Sequence, residues 1–183
     1  GLGNRFLSHI REVDAICEVV RCFEDENITH VEGTVDPIRD IEIINVELIL
    51  SDLEIVENRI NRIEKKAKTT KEKDVVLEYE LLVRIKDALS KNIPARFLEY
   101  TQDELMVIKP FNLITMKPFI YVANIKESEI RYKENKYVEI VREYAKKENS
   151  RVITVCAKIE EELSELNDEE RMEFLNDLGI TEA

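Results

Sequence analysis

The chain has 183 residues, of which 27 are Lys or Arg and 39 are Asp or Glu, so its formal net charge is -12. This length corresponds to roughly one domain, and a hydrophobic fraction of 44% argues against a disordered chain. No run approaches the ~18 consecutive apolar residues that a membrane-spanning helix needs, so an integral membrane protein is not predicted. Four glycines are few for an enzyme that holds phosphate in glycine-rich loops.

The first predicted element is a short β-strand. Residues 15–23, AICEVVRCF, are mostly apolar and partly β-branched. Such a run is typical of a strand that is buried on both faces. A polar connector follows over residues 24–40, and Pro37 stands where the next helix is expected to begin.

The next predicted element is a pair of helices. Apolar residues recur at alternating intervals of four and three over residues 49–67, which is the spacing of a coiled-coil seam and predicts one helix over about 38–68. After a polar break, a similar pattern over residues 75–89 predicts a second helix, and Pro94 follows it as a stop signal. Two seams joined by a short polar link predict an antiparallel helical hairpin.

Strand and helix alternate in the second half of the chain. The predicted elements are a capping-box helix that starts at Thr101 and ends before Pro110, a strand over 119–124, a helix over 128–148, a strand over 151–156 and a last helix that Gly179 closes. This succession predicts an α/β fold with a parallel sheet and helices on its faces. Since ligands bind at the carboxyl ends of such strands, the candidate loops follow Phe23, Ala123 and Cys156.

The loop after the second predicted strand has residue types that bind a nucleobase. Asn124 follows the strand directly, and Glu127 comes three residues later. An amide side chain offers a donor and an acceptor, and a carboxylate accepts from ring or exocyclic N–H groups. The alternative is an Asn-containing turn in which Glu127 begins the next helix and complements its dipole. The spacing alone leaves both interpretations open.

Cysteine and histidine give no sign of a disulfide or metal site. Cys17, Cys22 and Cys156 are odd in number and have no C-x-x-C spacing. We therefore expect small buried side chains in a protein of the reducing cytoplasm. His9 and His30 lack metal-ligand spacing, so no metal site is predicted.

Residues 59–73 are basic within an acidic chain, with seven basic residues against two acidic ones, a difference of +5. Such a concentration at a hairpin end can follow a phosphate backbone. The alternative is a solvated helix end with i,i+4 pairs such as Glu64–Lys68. No aromatic residue is interleaved, which disfavours sequence-specific binding of single-stranded RNA. The possible RNA contacts are Arg59, Arg62, Lys65, Lys66, Lys68, Lys71 and Lys73.

Ordered sequence blocks run through nearly the whole chain. They are GLGNRFL (1–7), REVDA (11–15), VRCFED (20–25), ITHV (28–31), VDP (35–37), ELILSDLE (47–54), KP (117–118), YVAN (121–124) and CAKIE (156–160). Together they closely resemble the YchF family, the Obg-like ATPases among the translation-factor-related P-loop GTPases. The resemblance implies part of a parallel-sheet P-loop nucleotide-binding domain with an inserted, coiled-coil-like helical hairpin.

The resemblance also implies how the chain is divided and that it is a fragment. Residues 1–37 and 113–183 would belong to the nucleotide-binding domain, and residues 38–112 would form the helical insertion. The chain contains no G-x-x-x-x-G-K-[ST] phosphate loop. We therefore expect the phosphate loop and the C-terminal TGS domain of the family to be missing from this chain.

The resemblance assigns site residues one by one. Asn124-Ile125-Lys126-Glu127 stands in the place of the GTPase N-K-x-D motif and departs from it at Ile125 and Glu127. The longer Glu would displace the carboxylate, and the Ile would change the platform over the base. The family shares this departure and is associated with a preference for ATP over GTP. Cys156 and Ala157 stand where GTPases carry Ser-Ala, and the remnant of the second switch would be Gly1, Gly3 and Asn4.

The resemblance thus implies a fragment of a ribosome-associated, cytoplasmic protein that binds and hydrolyses ATP, and GTP less well, when whole and supplied with Mg²⁺. This chain would have no catalytic residue or cofactor of its own and would be inactive alone. Its expected partners are ATP or GTP, the ribosome through ribosomal RNA, and a second copy, because a truncated sheet exposes an edge and apolar faces. The alternative is a stand-alone helical hairpin that binds RNA or a protein without nucleotide chemistry.

Overall fold

A computed structural model describes residues 4–24, 35–126 and 135–156 of the chain. Its elements are α1 (Asn4–Arg11), β1 (Ile16–Arg21), α2 (Pro37–Thr69), α3 (Lys73–Ser90), a 3₁₀ turn (Ala95–Phe97), α4 (Gln102–Ile108), two further 3₁₀ turns (Lys109–Phe111 and Ile114–Met116), β2 (Phe119–Asn124), α5 (Lys136–Lys147) and β3 (Arg151–Val155). In these ranges no helix is both long and apolar enough to cross a membrane.

The chain divides into two compact units, and each unit takes two separate stretches of sequence. The helical unit combines Gly1–Ile16 with Glu42–Pro118, and the sheet unit combines Cys17–Ile41 with Phe119–Ala183.

Within the described residues, the sheet has three strands in the order β1-β2-β3. β2 and β3 are parallel, with a register that runs from Ile120 opposite Arg151 to Asn124 opposite Val155. β1 also runs parallel to β2, because the backbone hydrogen bonds at its two ends connect it to residues of rising number on the β2 side. Ile16 N–H donates to Pro118 O at 2.9 Å, and Cys22 N–H donates to Asn124 O at 2.8 Å. The predicted α/β class with a parallel sheet is confirmed.

β1 is buried on one face only. Ile16, Glu18 and Val20 are buried, whereas Cys17 is exposed and the Val19 side chain is 62% exposed. The prediction of a strand buried on both faces is therefore wrong. Its physical basis was incomplete, because an apolar, β-branched run reports strand propensity but not how many faces of the strand are covered by other elements.

The core of the sheet unit lies between β2 and α5. Its buried residues are Val20, Cys22, Ile41, Tyr121, Ala123, Ile125, Val138, Val141, Ala145 and Cys156. α5 begins at Lys136 because Asn135 is its N-cap, eight residues later than the predicted start at 128. Residues 127–134 and the predicted last helix, closed by Gly179, lie outside the described ranges.

α2 and α3 pack along the predicted seam. Ile49, Val56, Ile60 and Ile63 of α2 share a buried cluster with Leu81, Leu82, Ile85 and Leu89 of α3. Burial of each such side chain contributes about 1.5–3 kcal/mol. Arg59 of α2 pairs with Glu78 of α3 at 2.7 Å, and Lys66 of α2 pairs with Glu72, the residue just before α3, at 3.6 Å. Since the residue number rises along α2 while that of its partners falls, the two helices run antiparallel.

α4 begins with the predicted capping box. The Thr101 hydroxyl accepts from Glu104 N–H at 3.1 Å, and the Glu104 carboxylate accepts from Thr101 N–H at 2.9 Å. These bonds satisfy two backbone donors at the helix start. α4 ends at Ile108, two residues before Pro110.

Asparagine performs a role that glycine usually has at helix ends. Asn92, Asn112 and Asn149 adopt left-handed backbone conformations, with φ of 62°, 49° and 60°. They follow α3, the 3₁₀ turn after α4, and α5, respectively. Asparagine tolerates this region better than other residues that carry a side chain, which is how a chain with four glycines ends these helices.

Candidate functional site

The carboxyl ends of the three strands meet at one edge of the sheet, because the strands are parallel. Backbone bonds continue just beyond the strands. Asn124 O accepts from Cys22 N–H at 2.8 Å, and Ile125 N–H donates to Val155 O at 2.8 Å. This edge is where ligands bind in open parallel α/β sheets, and Asn124, Ile125 and Cys156 lie at it.

The predicted base-site residues have different environments. Asn124 is half-buried at the end of β2. Ile125 is only 2% exposed and Cys156 only 4%, and both side chains belong to the core of the sheet unit. The Ile125 side chain therefore contributes to the core of the sheet unit. Glu127, Ala157, Gly1 and Gly3 lie outside the described residues, and Asn4 is the first residue of α1.

Asn135 is a positioning residue at this edge that the sequence analysis missed. Its side-chain oxygen accepts from Val138 N–H at 2.8 Å, which caps α5. Its side-chain amide donates to Cys22 O at 2.7 Å. Asn135 thereby ties the start of α5 to the end of β1. An Asn just before an amphipathic helical pattern is a known start signal, but the predicted helix had already begun at 128.

Glu24 is the centre of a charged cluster at the same edge. The Tyr137 hydroxyl donates to the Glu24 carboxylate. This hydrogen bond and the nearby ammonium group of Lys136 hold the pKa of Glu24 below its usual value, and the charge of Lys126 acts in the same direction. The same bond raises the pKa of Tyr137. The cluster contains carboxylate, phenol and ammonium groups.

The described part of this edge has no group that is suited to covalent or metal chemistry. Burial, with a smaller effect from the Asp40 charge, raises the pKa of the Cys22 thiol to about 12, so it is no nucleophile at neutral pH. Among the described residues, no three His, Cys, Asp or Glu side chains are placed to hold a metal ion.

The basic segment 59–73 lies where α2 meets α3. Three of its basic residues contact acids. Arg59 makes two bonds to Glu78, at 2.7 and 3.3 Å, Lys66 lies 3.6 Å from Glu72, and Lys68 lies 2.7 Å from Glu64. The i,i+4 pair Glu64–Lys68, which the alternative interpretation predicted, is present. The other four, Arg62, Lys65, Lys71 and Lys73, are exposed.

Known proteins resemble this chain along its whole length. The "Ribosome-binding ATPase YchF" of Bacillus subtilis is 55% identical over 184 residues, which cover 100% of this chain and 50% of that protein. The chain belongs to the YchF family. The protein of the same name from Pasteurella multocida is 46% identical over 182 residues and is covered over 49% of its length. The chain thus spans about half the length of the curated YchF relatives it matches, and no family model matches it.

A solved YchF structure supports the fold. The Schizosaccharomyces pombe "YchF GTPase" matches 99% of this chain and 50% of its own chain, with a TM-score of 0.82 and 35% identity. This chain therefore shares its α/β fold with a YchF relative that is named as a GTPase.

Asp52 connects three segments of the helical unit of this YchF-family chain, and the sequence analysis gave it no role. Its carboxylate is fully buried. It accepts from the Arg11 guanidinium at 2.7 Å and from Ile114 N–H at 3.0 Å. Thr115 donates to it twice, through its N–H and its hydroxyl, both at 2.7 Å. Asp52 therefore joins α1 and α2 to the 3₁₀ turn that begins at Ile114.

Proposed function

We propose that this chain supplies the base-recognition side and a helical arm of a ribosome-associated ATPase. The observation that carries the proposal is its 55% identity, over its full length, to a protein named as a ribosome-binding ATPase. Because the chain spans half of that protein, ATP, GTP and the ribosome are proposed as ligands and partners of the whole protein.

The proposed division of labour follows the chain. Residues 1–37 and 113–183 contribute to the nucleotide-binding domain, and residues 38–112 are a helical insertion within it. The antiparallel packing of α2 on α3 supports the insertion, because in such a pair the chain enters the first helix and leaves the second helix at the same end of the pair. The three parallel strands, which lie outside residues 38–112, support the nucleotide-binding part.

The proposed base site lies at the carboxyl edge of the sheet, and its ligand is adenine in preference to guanine. Asn124 is half-buried at this edge and would bind the base through its amide, with Glu127 as the carboxylate partner. Since Ile125 and Cys156 are buried, their contribution would come from the backbone, together with Ala157. Gly1, Gly3 and Asn4 would form the end of the second switch. Mg²⁺ is proposed as a cofactor of the whole protein; among the described residues of this chain, no three His, Cys, Asp or Glu side chains are placed to hold a metal ion.

Nucleotide binding by this chain can be tested directly. Phosphoryl transfer needs backbone amides and a lysine on the phosphates, and the 183 residues contain no G-x-x-x-x-G-K-[ST]. We expect no Mg²⁺-dependent ATP hydrolysis above background and, at best, millimolar binding of ATP detected by NMR. The N124A variant should lose this binding, and N61A, which changes an exposed asparagine of α2, should keep it. Turnover by the pure chain, or equal binding by both variants, would contradict the proposal.

The second candidate function is a stand-alone helical module that binds RNA or a protein. The compact helical unit with its basic end favours it. Co-sedimentation with ribosomes at low and moderate salt, combined with the NMR experiment, separates the two candidates. Ribosome binding without ATP binding supports the stand-alone module, and both together support the ATPase fragment.

Self-association of the chain is the last part of the proposal. α2 exposes Ile43, Val46 and Leu50, which are 52%, 39% and 57% exposed. These residues lie on one helix face by their i, i+3, i+7 spacing, and a second copy could cover them. Light scattering should therefore give a mass above that of one chain, and a monomer at all concentrations would count against it.

A further inference from the structure

The basic residues where α2 meets α3 form two sets. The paired set is Arg59, Lys66 and Lys68, and each of its members contacts a carboxylate of Glu78, Glu72 or Glu64, respectively. The hydrogen bond between Lys68 and Glu64 raises the pKa of the lysine and lowers that of the glutamate. A phosphate that approached this set would meet a carboxylate beside each cation.

The free set is Arg62, Lys65, Lys71 and Lys73. All four are exposed, and within the described ranges none of them forms an ion pair. Arg62 and Lys65 are three residues apart on α2 and are neighbours on its surface. They lie on the outer face, because Ile60 and Ile63 face the seam with α3.

The rest of the free set lies across the turn. Lys71 is in the link between the helices, and Lys73 is the first residue of α3. The free set therefore continues from the outer face of α2 around the end of the helical pair. None of its four charges is held in an ion pair within the described ranges, so each can replace a condensed counterion of a polyanion.

We propose that the free set is the surface that binds the sugar-phosphate backbone of double-stranded RNA, and that the paired set is not part of it. This inference rests on the proposed ribosome association and names its contact residues. Duplex RNA is recognised through shape and phosphate contacts, whereas single strands are recognised by stacking of bases on aromatic rings. Residues 59–73 contain no aromatic side chain, so their chemistry suits the duplex.

Two double variants of α2 test the division. R62Q/K65Q neutralises two members of the free set, and K66Q/K68Q neutralises two members of the paired set. Both variants remove two positive charges within the same seven residues of α2. If RNA binding depended only on the general electrostatic field of this segment, the two variants would therefore lose equal affinity. The probe is a labelled RNA duplex of about 16 base pairs, and the readout is the slope of log affinity against log KCl concentration in fluorescence anisotropy.

Direct phosphate contact predicts unequal slopes. The slope is negative, and each lost contact makes it less steep by about 0.9. R62Q/K65Q should therefore reduce its steepness by about 2, and K66Q/K68Q by less than about 1. K146Q/K147Q, which neutralises two exposed lysines at the end of α5, controls for net charge. Circular dichroism should show unchanged helix content for all three variants.

The outcomes distinguish this inference from the proposed function. Equal loss of slope in the two α2 variants overturns the division into sets. Ribosome co-sedimentation without binding of the RNA duplex, or tighter binding of poly-glutamate than of RNA, overturns the RNA surface and leaves the ribosome association standing. Absence of ribosome binding at low salt overturns the association and the inference with it.

Discussion

Substitution of Asp52 by Asn tests whether the buried carboxylate holds the helical unit together. The change keeps the shape of the side chain but replaces one acceptor oxygen with an NH₂ donor. All four bonds to Asp52 come from donors, on Arg11, Ile114 and Thr115. In either orientation of the amide, the new NH₂ group therefore opposes at least one donor, and the charge on Arg11 loses its partner.

The expected loss is about 3 kcal/mol of unfolding free energy. Removal of one partner from a buried ion pair costs about 3–5 kcal/mol. The lower end applies because the Arg11 side chain is 16% exposed and regains some hydration. This loss is a large fraction of the 5–15 kcal/mol that stabilises a typical protein. A loss of this size lowers the melting temperature by roughly 6–12 °C in a chain of this length.

The measurement is urea unfolding followed by circular dichroism, with hydrogen exchange to locate the effect. Exchange should accelerate in peptides from α2 and the turn at Ile114–Met116. D87N is the matched control, because Asp87 forms only an exposed i,i+4 pair with Lys91, and such pairs contribute about 0.3–0.5 kcal/mol.

A double-mutant cycle shows whether the ion pair causes the loss. R11Q alone leaves a buried carboxylate with a missing cation, so R11Q/D52N should cost less than the sum of the two single changes. Stability of D52N within about 0.5 kcal/mol of the native chain, or simple additivity in the cycle, would refute the reasoning.

Two further predictions concern the α4 cap and the cysteines. The T101A variant should lose about 1 kcal/mol of stability, because its helix start loses a side-chain acceptor. The hydrogen bond from Thr101 N–H lowers the pKa of Glu104 below 4.5, so the carboxylate stabilises the fold fully above pH 4.5 and loses this effect as the pH falls through the lowered pKa. E104Q should thus be less stable than the native chain at pH 7 and approach it in acid, and a pH-independent difference would contradict this. In thiol titration with a disulfide reagent, Cys17 alone should react before denaturation and all three cysteines afterwards, whereas two fast thiols would contradict the burial of Cys22 and Cys156.

Local signals predicted several element boundaries closely. The long helix was predicted over about 38–68 and is found at Pro37–Thr69, and β2 has its predicted bounds, Phe119–Asn124. Heptad spacing, proline and the capping box act within a few residues of themselves, so they can be recognised from short stretches of sequence.

Contacts between distant residues could not be predicted in this way. Asp52 binds Ile114 and Thr115, which are 62 and 63 residues away, and no local pattern connects them. Ile125 shows a second limit. Its place in the motif indicated that it changes the platform over a base, and it gave no sign that packing in the sheet unit buries the side chain. A motif gives the position of a loop along the strand edge, whereas tertiary packing decides which side chains of that loop face solvent.

The parallel pairing of β1 with β2 sets the order of events during synthesis of the chain. β1 is followed by roughly 100 residues before its neighbour strand begins, and translation adds about 5–20 residues per second. About 5–20 s therefore pass between the synthesis of β1 and that of β2. During this time α2 and α3, whose contacts are local, can already form. Substitutions that slow pairing of α2 with α3 should have little effect on this delay, because the delay depends only on the number of residues between β1 and β2.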